Sequence, residues 1–561
     1  MAISTKEAYF QQTAGEVLEL MQGKKLELDL ITAASFGGTQ LPPRPDQPIR
    51  FTADRSALTE IDTIARNWFI KPRMEAMSLD IYDLPLGLVG VKRGLDPDAD
   101  PILLGSHFDT IDRSDMYDGV YGVVAALHFL EAIHLLRVQH TRDIMLAVFT
   151  GEESRRFKRA LFGSGGMLLG LTERDHALKD TEGITLGEAL GSRRLQTMQP
   201  VFGEGRLFKK PAAYLEVHVE QGKVLEQANK TLGIVTEIAA PIRHEIFVGD
   251  KSLQPDLENH PNTKYLLLTV KGVENHSGTT PMGNAHRADG LVHTAEILGN
   301  VLENQNGAAS IAIGDISILG GSINKIPGIV RTALKIWGEN PDEVNKLLQK
   351  VHNEADKLNQ LRFLKNHPRF TYPASVDETG ESEVRFFDPS EMQPRQIDAF
   401  NVIRIVEDMT KRYSSKEVVG TVGTYQTTAD GRIALGLDVR GTHKLWRDLA
   451  LQQIMEFSAS KNSQVNFGEQ LAGSCDPSKM DPKIVKSMAW LFKKFGLDPF
   501  MFMPSKAGHD AKSAIDADIP AGMIFVPSEK GIAHNIDAYT KPEHLEAGAR
   551  ALALIALRKA L

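Results

Sequence analysis

The chain has 561 residues, of which 42% are hydrophobic and 24% are charged, and its formal net charge is −8. One hydrophobic core stops growing near roughly 250–300 residues, so this length predicts two or three domains. The ordinary composition excludes a low-complexity chain, and the acidic balance argues against a nucleic-acid partner, which would favour a basic surface.

The N-terminal sequence lacks the charged-then-apolar pattern of a secretion signal, and no run of about 18 uncharged apolar residues occurs. We therefore expect a cytoplasmic protein with no membrane partner. The single cysteine, Cys475, cannot form an internal disulfide or a thiolate metal cluster. Any metal ion must then be held by imidazole and carboxylate groups.

Strand-like apolar runs alternate with amphipathic helix-like runs at both ends of the chain, which is typical of an α/β fold with a mainly parallel sheet. Buried strands are predicted over residues 101–105, 144–149, 213–219 and 523–527, with a helix over 119–136. Histidine and acidic side chains follow the ends of these strands. Because open α/β sheets bind ligands at that edge, the pattern predicts a site built from strand ends.

The middle of the chain, residues 264–462, has longer strands that alternate apolar with polar residues. Such strands suit a sheet with one solvated face, so we expect an inserted α+β domain between two parts of a catalytic domain, 1–263 and 463–561. A strand followed by a helix occurs twice, at 330–337 and at 432–440. The insert is therefore interpreted either as one domain or as two tandem copies, 264–365 and 366–462.

Metal chemistry is first indicated by His107, which follows a predicted strand and precedes Asp109. An aspartate at this spacing can hold the second ring nitrogen of a histidine ligand, although an isolated pair of this kind is more often an ordinary loop feature. Asp118, in a glycine-flanked loop, and the pair Glu152 and Glu153 strengthen the case. Neighbouring carboxylates are costly unless a cation neutralises them or one takes a proton.

With two further histidines, the strand ends offer five candidate ligands: His107, Asp118, Glu153, His218 and His534. Five such groups suit a two-metal site in which two ligands bind each ion alone and one carboxylate bridges both ions. Imidazole and carboxylate suit zinc, manganese, cobalt and nickel alike, so the sequence leaves the metal open.

Several longer motifs resemble those of the aminoacylase-like di-metal peptidases, and within them the branch of N-carbamoyl-L-amino-acid hydrolases, allantoate amidohydrolases and β-ureidopropionases. The motifs, in chain order, are Gly105-Ser106-His107-Phe108-Asp109-Thr110, Asp118-Gly119, Glu152-Glu153, Glu216-Val217-His218-Val219-Glu220-Gln221-Gly222, Asn275-His276-Ser277-Gly278-Thr279-Thr280-Pro281-Met282, Gly508-His509-Asp510-Ala511 and Phe525-Val526-Pro527-Ser528. They cover both ends of the chain and the start of the insert. In this family the inserted domain serves as a lid.

The resemblance implies a role for each matching residue. It places His107 and His218 on one divalent ion and Glu153 and His534 on the other, with Asp118 as the bridge. Glu152 becomes the general base, His276 a donor to the developing oxyanion and Asp109 the partner of His107. A further match, Gly320-Gly321-Ser322-Ile323-Asn324-Lys325-Ile326-Pro327-Gly328, contains Asn324. The resemblance implies polar substrate contacts for Gln221 and Asn324 and a pocket-wall position facing the substrate for His509.

One departure from the family concerns the substrate carboxylate. Relatives carry an Asp-x-Arg whose arginine binds it, but the corresponding place here reads Lys335-Ile336-Trp337. Asp438-Val439-Arg440 occurs at the end of the later, repeat-like strand. Either about a hundred residues are inserted ahead of the usual strand, or the lid is duplicated and Arg440 is the clamp. We prefer duplication, which predicts a monomer with an internal pseudo-dimer rather than a homodimer.

Three functions fit these residues. The first is a metal-dependent hydrolase of the ureido C–N bond of N-carbamoyl-L-amino acids or related ureido acids. The second is an allantoate amidohydrolase, or an aminoacylase-like or dipeptidase-like enzyme on the same site. The third, a non-catalytic binding protein, is disfavoured because all five ligand candidates and Glu152 are present together.

Overall fold

A computed structural model of the protein describes every residue except 1–4, 46, 158, 250–252, 254–259, 283–286, 304–307, 361–373, 380–385, 388, 430, 462–463, 472–473 and 475. The strands, in chain order, are β1 (Gln40–Leu41), β2 (Arg50–Phe51), β3 (Asp80–Leu84), β4 (Gly87–Lys92), β5 (Ile102–His107), β6 (Ile144–Phe149), β7 (Ala213–Val219), β8 (Leu232–Ile238), β9 (Ala240–Val248), β10 (Lys264–Lys271), β11 (Ser310–Leu319), β12 (Ile329–Trp337), β13 (Ala374–Thr379), β14 (Val419–Thr427), β15 (Ile433–Gly441), β16 (Val465–Gln470), β17 (Ser478–Lys479), β18 (Phe500–Ser505) and β19 (Ala521–Val526).

The α-helices, in chain order, are α1 (Thr5–Leu20), α2 (Gly23–Ser35), α3 (Glu60–Ala65), α4 (Lys71–Ala76), α5 (Val120–Leu135), α6 (Phe162–Leu168), α7 (Glu173–His176), α8 (Leu186–Leu190), α9 (Val224–Gln227), α10 (Gly290–Glu303), α11 (Pro341–Asn359), α12 (Pro389–Arg412), α13 (Lys444–Lys461), α14 (Pro482–Lys494), α15 (Asp510–Asp516) and α16 (Pro542–Ala560). Short 3-10 segments cover Gly191–Thr197, Ser414–Lys416 and Glu529–Gly531, and a π-helical turn covers Arg66–Ile70. None of the helices among the described residues combines the length and the hydropathy that a membrane span requires.

The chain divides into two compact units. The first consists of Met1–Ala240 and Asp476–Leu561, and the second of Pro241–Cys475. In the first unit, a mixed sheet has the strand order β17-β8-β19-β7-β5-β6-β4-β3, with β18 also paired to β8. Its central strands β19, β7, β5 and β6 run parallel to one another, whereas β3 and β4 are antiparallel additions at one edge. The expected α/β class with a parallel-containing sheet is confirmed.

Burial on both faces explains why the central strands read as continuous apolar runs. Every residue of β5, β6, β7 and β19 is buried, as expected for parallel strands covered on both sides. Helices α5 and α16 contribute to the largest hydrophobic core together with these strands. The carboxyl ends of the parallel strands therefore share one edge, where the loops after them meet.

The second unit contains two four-stranded sheets with matching strand orders, β11-β12-β10-β13 and β14-β15-β9-β16. In chain order, one sheet uses strand β10, helix α10, strands β11 and β12, helix α11 and strand β13. The other uses β9, α12, β14, β15, α13 and β16, with the whole of the first sheet lying in the chain between β9 and α12. One hydrophobic core contains residues from both sheets.

Strand register extends this correspondence to single residues. In the first sheet, Ser310 pairs with Trp337 and the register shifts after Ile313. In the second, Val419 pairs with Arg440 and the register shifts after Val422. In each sheet, the shift follows the fourth residue of the earlier strand of the pair, β11 or β14. The first residue of that strand pairs with Trp337 in one sheet and with Arg440 in the other, so these two residues occupy equivalent positions.

Candidate metal centre

The ends of the parallel strands bring six predicted site residues together inside the first unit. His107 is the last residue of β5, and His218 lies near the end of β7. The loops before α5, after β6 and after β19 supply the other four, which are Asp118, Glu152, Glu153 and His534. All six side chains are buried.

Asp118 lies beside three imidazoles. Its Oδ1 lies 3.1 Å from Nε2 of His218 and 3.7 Å from Nε2 of His107. Its Oδ2 lies 2.9 Å from Nε2 of His534, which is itself 3.2 Å from Oε1 of Glu153. Each oxygen of Asp118 therefore faces a different set of donor atoms.

The donor atoms form two groups that share Asp118. One group is His107, Asp118 and His218, the other is Asp118, Glu153 and His534, and the atoms of each lie within 4.8 Å of one another. Imidazole nitrogen and carboxylate oxygen are donors that zinc and related divalent ions accept. The residues present thus fit divalent metal ions in chemical type and in spacing.

Main-chain oxygens orient two of the imidazoles. Nδ1 of His107 lies 2.9 Å from the carbonyl oxygen of Asp109, and Nδ1 of His218 lies 2.9 Å from that of Val219. A carbonyl can only accept, so these contacts assign the ring proton to Nδ1 and make Nε2 the acceptor nitrogen, the one able to hold a metal ion. Nε2 of His218 accepts from Gly119 N at 3.0 Å.

The Asp109 carboxylate has a different contact from the one expected. It lies 3.9 Å from Nδ1 of His107 and instead accepts main-chain N–H groups of the loop after β6. Gly151 N donates to Oδ1 at 2.7 Å, Glu152 N to Oδ1 at 3.3 Å and Glu153 N to Oδ2 at 3.3 Å. Asp109 thus links His107, through its carbonyl, to the loop that carries both glutamates.

Gly119 shows why the loop before α5 requires glycine. Its φ is +66°, in the left-handed region, and an added Cβ would lie 2.2 Å from Nε2 of His107. A side chain at this position would occupy the space of a metal-facing nitrogen.

Burial and neighbouring charges set the protonation of the cluster. Burial, with Glu153 and Asp510 nearby, raises the pKa of Glu152 well above its usual value despite the opposing effect of His107. Burial also raises the pKa of Asp118, but hydrogen bonds from three imidazoles outweigh it and hold that pKa well below its ordinary range. The pKa of His534 is raised to about 10, because the adjacent carboxylates outweigh its burial.

Two buried carboxylates were not singled out by the sequence. Asp115 accepts the N–H groups of Tyr117 and Asp118 with Oδ1 and that of His534 with Oδ2, so it holds the backbone of two candidate ligands. Burial, with Asp118 nearby, raises its pKa to about 6. Its position three residues before Asp118 in a loop was the available signal, but the contact to His534 spans 419 residues.

Glu216 is the second such carboxylate. It accepts hydrogen bonds from Ser106 Oγ at 2.9 Å, Tyr214 Oη at 3.2 Å and Ala511 N at 3.0 Å. Burial and the neighbouring Asp510 raise the pKa of Glu216 to about 7. It fastens β5, β7 and the start of α15 together behind the cluster.

Two of the expected substrate contacts lie at the metal cluster itself. Nε2 of Gln221 donates to Oδ2 of Asp118 at 2.6 Å. The His509 ring packs 4.5 Å from that of His218, centroid to centroid, and its Nε2 lies 2.9 Å from Oγ of Ser505. Both side chains are buried.

The remaining predicted site residues, His276, Asn324 and Arg440, lie in the second unit. The loops of His276 and Asn324 pair with each other, since Ser277 N donates to the Asn324 carbonyl at 3.0 Å. Nη1 of Arg440 lies 3.1 Å from Nε2 of His276. The structure therefore brings these three predicted residues to neighbouring loops and strand ends, although they are separated widely in sequence.

Residues 103–558 match the model of peptidase family M20/M25/M40. The chain belongs to this family. The membership expected from the sequence motifs is confirmed, and the M20 match runs through the sheet edge that carries the six clustered residues as well as through the inserted unit.

Several relatives of this chain carry names that state an activity, and two examples follow. An N-carbamoyl-L-amino acid amidohydrolase of Geobacillus stearothermophilus is 28% identical over 323 residues, which are 56% of this chain and 70% of that protein. The allantoate amidohydrolase of Bacillus subtilis is 28% identical over 299 residues, which are 52% of this chain and 64% of that protein.

A solved structure shares the fold. The crystal structure of an amidase of the hydantoinase/carbamoylase family from Burkholderia vietnamiensis has a TM-score of 0.55 and 21% identity to this chain, covering 96% of this chain and 98% of that one. At this identity the likeness shows the M20 fold.

Proposed function

We propose that this protein is a two-metal amidohydrolase that cleaves the carbamoyl C–N bond of N-carbamoyl-L-amino acids or related ureido acids. The buried cluster in which each oxygen of Asp118 faces a different set of ligand atoms carries the proposal. Relatives with matching names, at 28% identity, support the substrate class.

His107, Asp118 and His218 would hold one divalent ion, and Asp118, Glu153 and His534 the other. The ions would be zinc, manganese, cobalt or nickel. Bound ions would neutralise the buried carboxylates, lower the pKa of a water molecule and polarise the carbamoyl oxygen.

Glu152 moves the proton in this mechanism. Its carboxylate takes a proton from water, and the oxygen of that water attacks the carbamoyl carbon. Glu152 returns the proton to the leaving nitrogen as the C–N bond breaks, which releases the free amine and carbamic acid. Carbamic acid then decomposes to ammonia and carbon dioxide. The Asp109 carboxylate holds the N–H of Glu152, so the base stays in place during both transfers.

The other predicted site residues would bind the rest of the substrate. We assign the substrate carboxylate to the Arg440 guanidinium and the oxyanion to His276, with Asn324, Gln221 and His509 as further contacts. Arg440 and His276 are both buried, where a charged contact is stronger than in water.

We also propose that Pro241–Cys475 is a duplicated lid whose two copies are nested rather than tandem. Matching strand orders and the equivalence of Trp337 and Arg440 support this proposal. The copies pack closely, since Gln396 of α12 donates to the Ile313 carbonyl of β11 at 2.9 Å. Such a lid would act as an internal pseudo-dimer and allow a monomer to function.

A substrate panel tests the proposed function. The protein is stripped with a chelator, reloaded with each of the four metals and assayed with N-carbamoyl-L-amino acids, allantoate, N-acyl amino acids and dipeptides. We expect turnover of a ureido acid to dominate. Dominant allantoate cleavage would favour the alternative suggested by the Bacillus subtilis relative, and dominant dipeptide cleavage would contradict the proposal.

A further inference from the structure

The second unit contains a buried ionic cluster that includes Arg243, a residue outside all the sequence motifs. Nε of Arg243 donates to Oδ2 of Asp438 at 3.0 Å. Arg440 donates to the same carboxylate twice, from Nε to Oδ1 at 2.8 Å and from Nη2 to Oδ2 at 3.0 Å. The three side chains are at most 3% exposed. One carboxylate therefore fixes two guanidinium groups.

The carboxylate in this cluster is ionised. Burial raises the pKa of Asp438, but the charges and hydrogen bonds of Arg440 and Arg243 outweigh it and hold that pKa below its usual value. A buried guanidinium paired in this way keeps a fixed orientation, because both partners are charged and the hydrogen bonds are bidentate.

Arg243 also retains an unused donor. Its Nη1 is buried and has no hydrogen-bond acceptor among the described residues. Leaving a buried charged N–H unpaired costs stability, so a purely structural role would be better served by a smaller or neutral side chain.

The other sheet of this unit provides an internal comparison. Val248 pairs with the first residue of β16, as Val270 pairs with the first residue of β13. Counting back five residues from each valine makes Tyr265 the equivalent of Arg243. The shared register of β12 and β15 likewise makes Lys335 the equivalent of Asp438.

Aromatic packing replaces the ionic cluster in that sheet. Tyr265 packs against the cluster that contains Trp337. The His260 ring stacks on Trp337 with 4.4 Å between centroids, and Nζ of Lys335 lies 5.1 Å from the Trp337 ring centroid. The sheet that has Trp337 in place of Arg440 also has other residues in place of Arg243 and Asp438. The three members of the ionic cluster therefore occur together in one sheet.

We propose that Arg243 is a positioning residue for Arg440: it holds Asp438, and through it the Arg440 guanidinium, in the orientation that binds the substrate carboxylate. This inference rests on the proposed function, which supplies a substrate with a carboxylate. Arg243 acts on substrate binding rather than on the chemical step.

The test compares Arg243→Met with Tyr265→Met, the same substitution at the equivalent position of the other sheet. Each variant is assayed with a substrate of the wild-type protein and with its carboxamide analogue. We expect Arg243→Met to raise KM for the carboxylate by roughly tenfold or more, the size of a lost charged hydrogen bond. Its kcat and its KM for the carboxamide stay near the wild-type values, as do all constants of Tyr265→Met.

Several results would overturn the inference. An unchanged KM in Arg243→Met, or an equal loss with carboxylate and carboxamide, would contradict positioning. If this variant does not fold, Arg243→Lys is assayed in its place. Lysine keeps the positive charge but lacks the planar set of donors of arginine, so we expect a smaller rise in KM that is again specific to the carboxylate substrate. If the wild-type protein turns over no carboxylate substrate, the proposed function fails and this inference falls with it. The wild-type assay alone distinguishes the two failures.

Discussion

Nη1 of Arg440 lies 3.1 Å from Nε2 of His276, although 164 residues separate them. Thr279 N donates to Nδ1 of the same imidazole at 3.2 Å, so the proton of a neutral ring belongs on Nε2. Two donors then face each other at hydrogen-bond distance. A separate oxygen acceptor for each donor would relieve this contact, and the carboxylate proposed for Arg440 and the oxyanion proposed for His276 would supply them.

Replacing the clamp arginine should weaken binding of anionic substrates. Arg440→Met removes a buried bidentate group, so we expect KM for the carboxylate substrate to rise by about 10- to 100-fold, with a smaller change in kcat. Steady-state kinetics measure this effect. Trp337→Phe, at the equivalent position of the other sheet, should leave KM unchanged, and a KM in Arg440→Met equal to the wild-type value would remove Arg440 from the site.

Removing a ligand from one side of Asp118 should lower the number of metal ions bound per chain. His534→Ala removes the imidazole that faces Oδ2 of Asp118, so we expect about one ion per chain in place of two after dialysis. Elemental analysis by mass spectrometry provides the count. His176→Ala, which removes a buried histidine bonded to Thr197, is the matched control. Two tightly held ions in His534→Ala would contradict the assignment.

The Asp109 carboxylate should hold in place the loop after β6, which carries Glu152 and Glu153. In Asp109→Asn, one oxygen can still accept from Gly151, but the amide group would place N–H donors against an N–H of the same loop. We expect kcat to fall by about 10- to 100-fold, as for other groups that orient metal ligands. Asp100→Asn, an exposed substitution in the loop before β5, serves as the control. Full activity in Asp109→Asn would show that the loop needs no such support.

An internal pseudo-dimer predicts a monomer in solution. Light scattering coupled to size-exclusion chromatography should therefore give a mass near the 61.8 kDa of one chain. The reason is that the second lid copy, β9 with α12 to β16, already packs on the first. A tight dimer that persists on dilution would argue that the lid surface serves an intermolecular contact instead.

The sequence predicted that His107, Glu153 and His218 lie close together because each is at or just after the end of a recognisable strand. The predicted strand 144–149 coincides with β6, and 213–219 coincides with β7. Parallel strands then place their ends at one edge, so His107, Glu153 and His218 had to approach one another. Chemical type and strand ends sufficed for this part of the site.

Contacts made across the fold were beyond the sequence. The Asp109 carboxylate binds the loop after β6 because that loop presents three N–H groups to it, which depends on backbone geometry rather than spacing. Asp115 and Arg243 likewise act through partners more than 190 residues away. The strand and helix pattern suggested a repeat. Because β9 lies outside the predicted insert, the sequence did not show that one sheet is inserted in the chain between the first strand and the remaining elements of the other.

Release of ammonia and free amine from an N-carbamoyl-L-amino acid tests the central claim most directly. The metal-loaded wild-type protein should release both products, and Glu152→Gln should retain two ions per chain while its kcat falls by at least about a hundredfold, because the general base is lost. Glu182→Gln, an exposed substitution, should behave as the wild-type protein does. Absence of both products with all four metals, or full turnover by Glu152→Gln, would contradict the account.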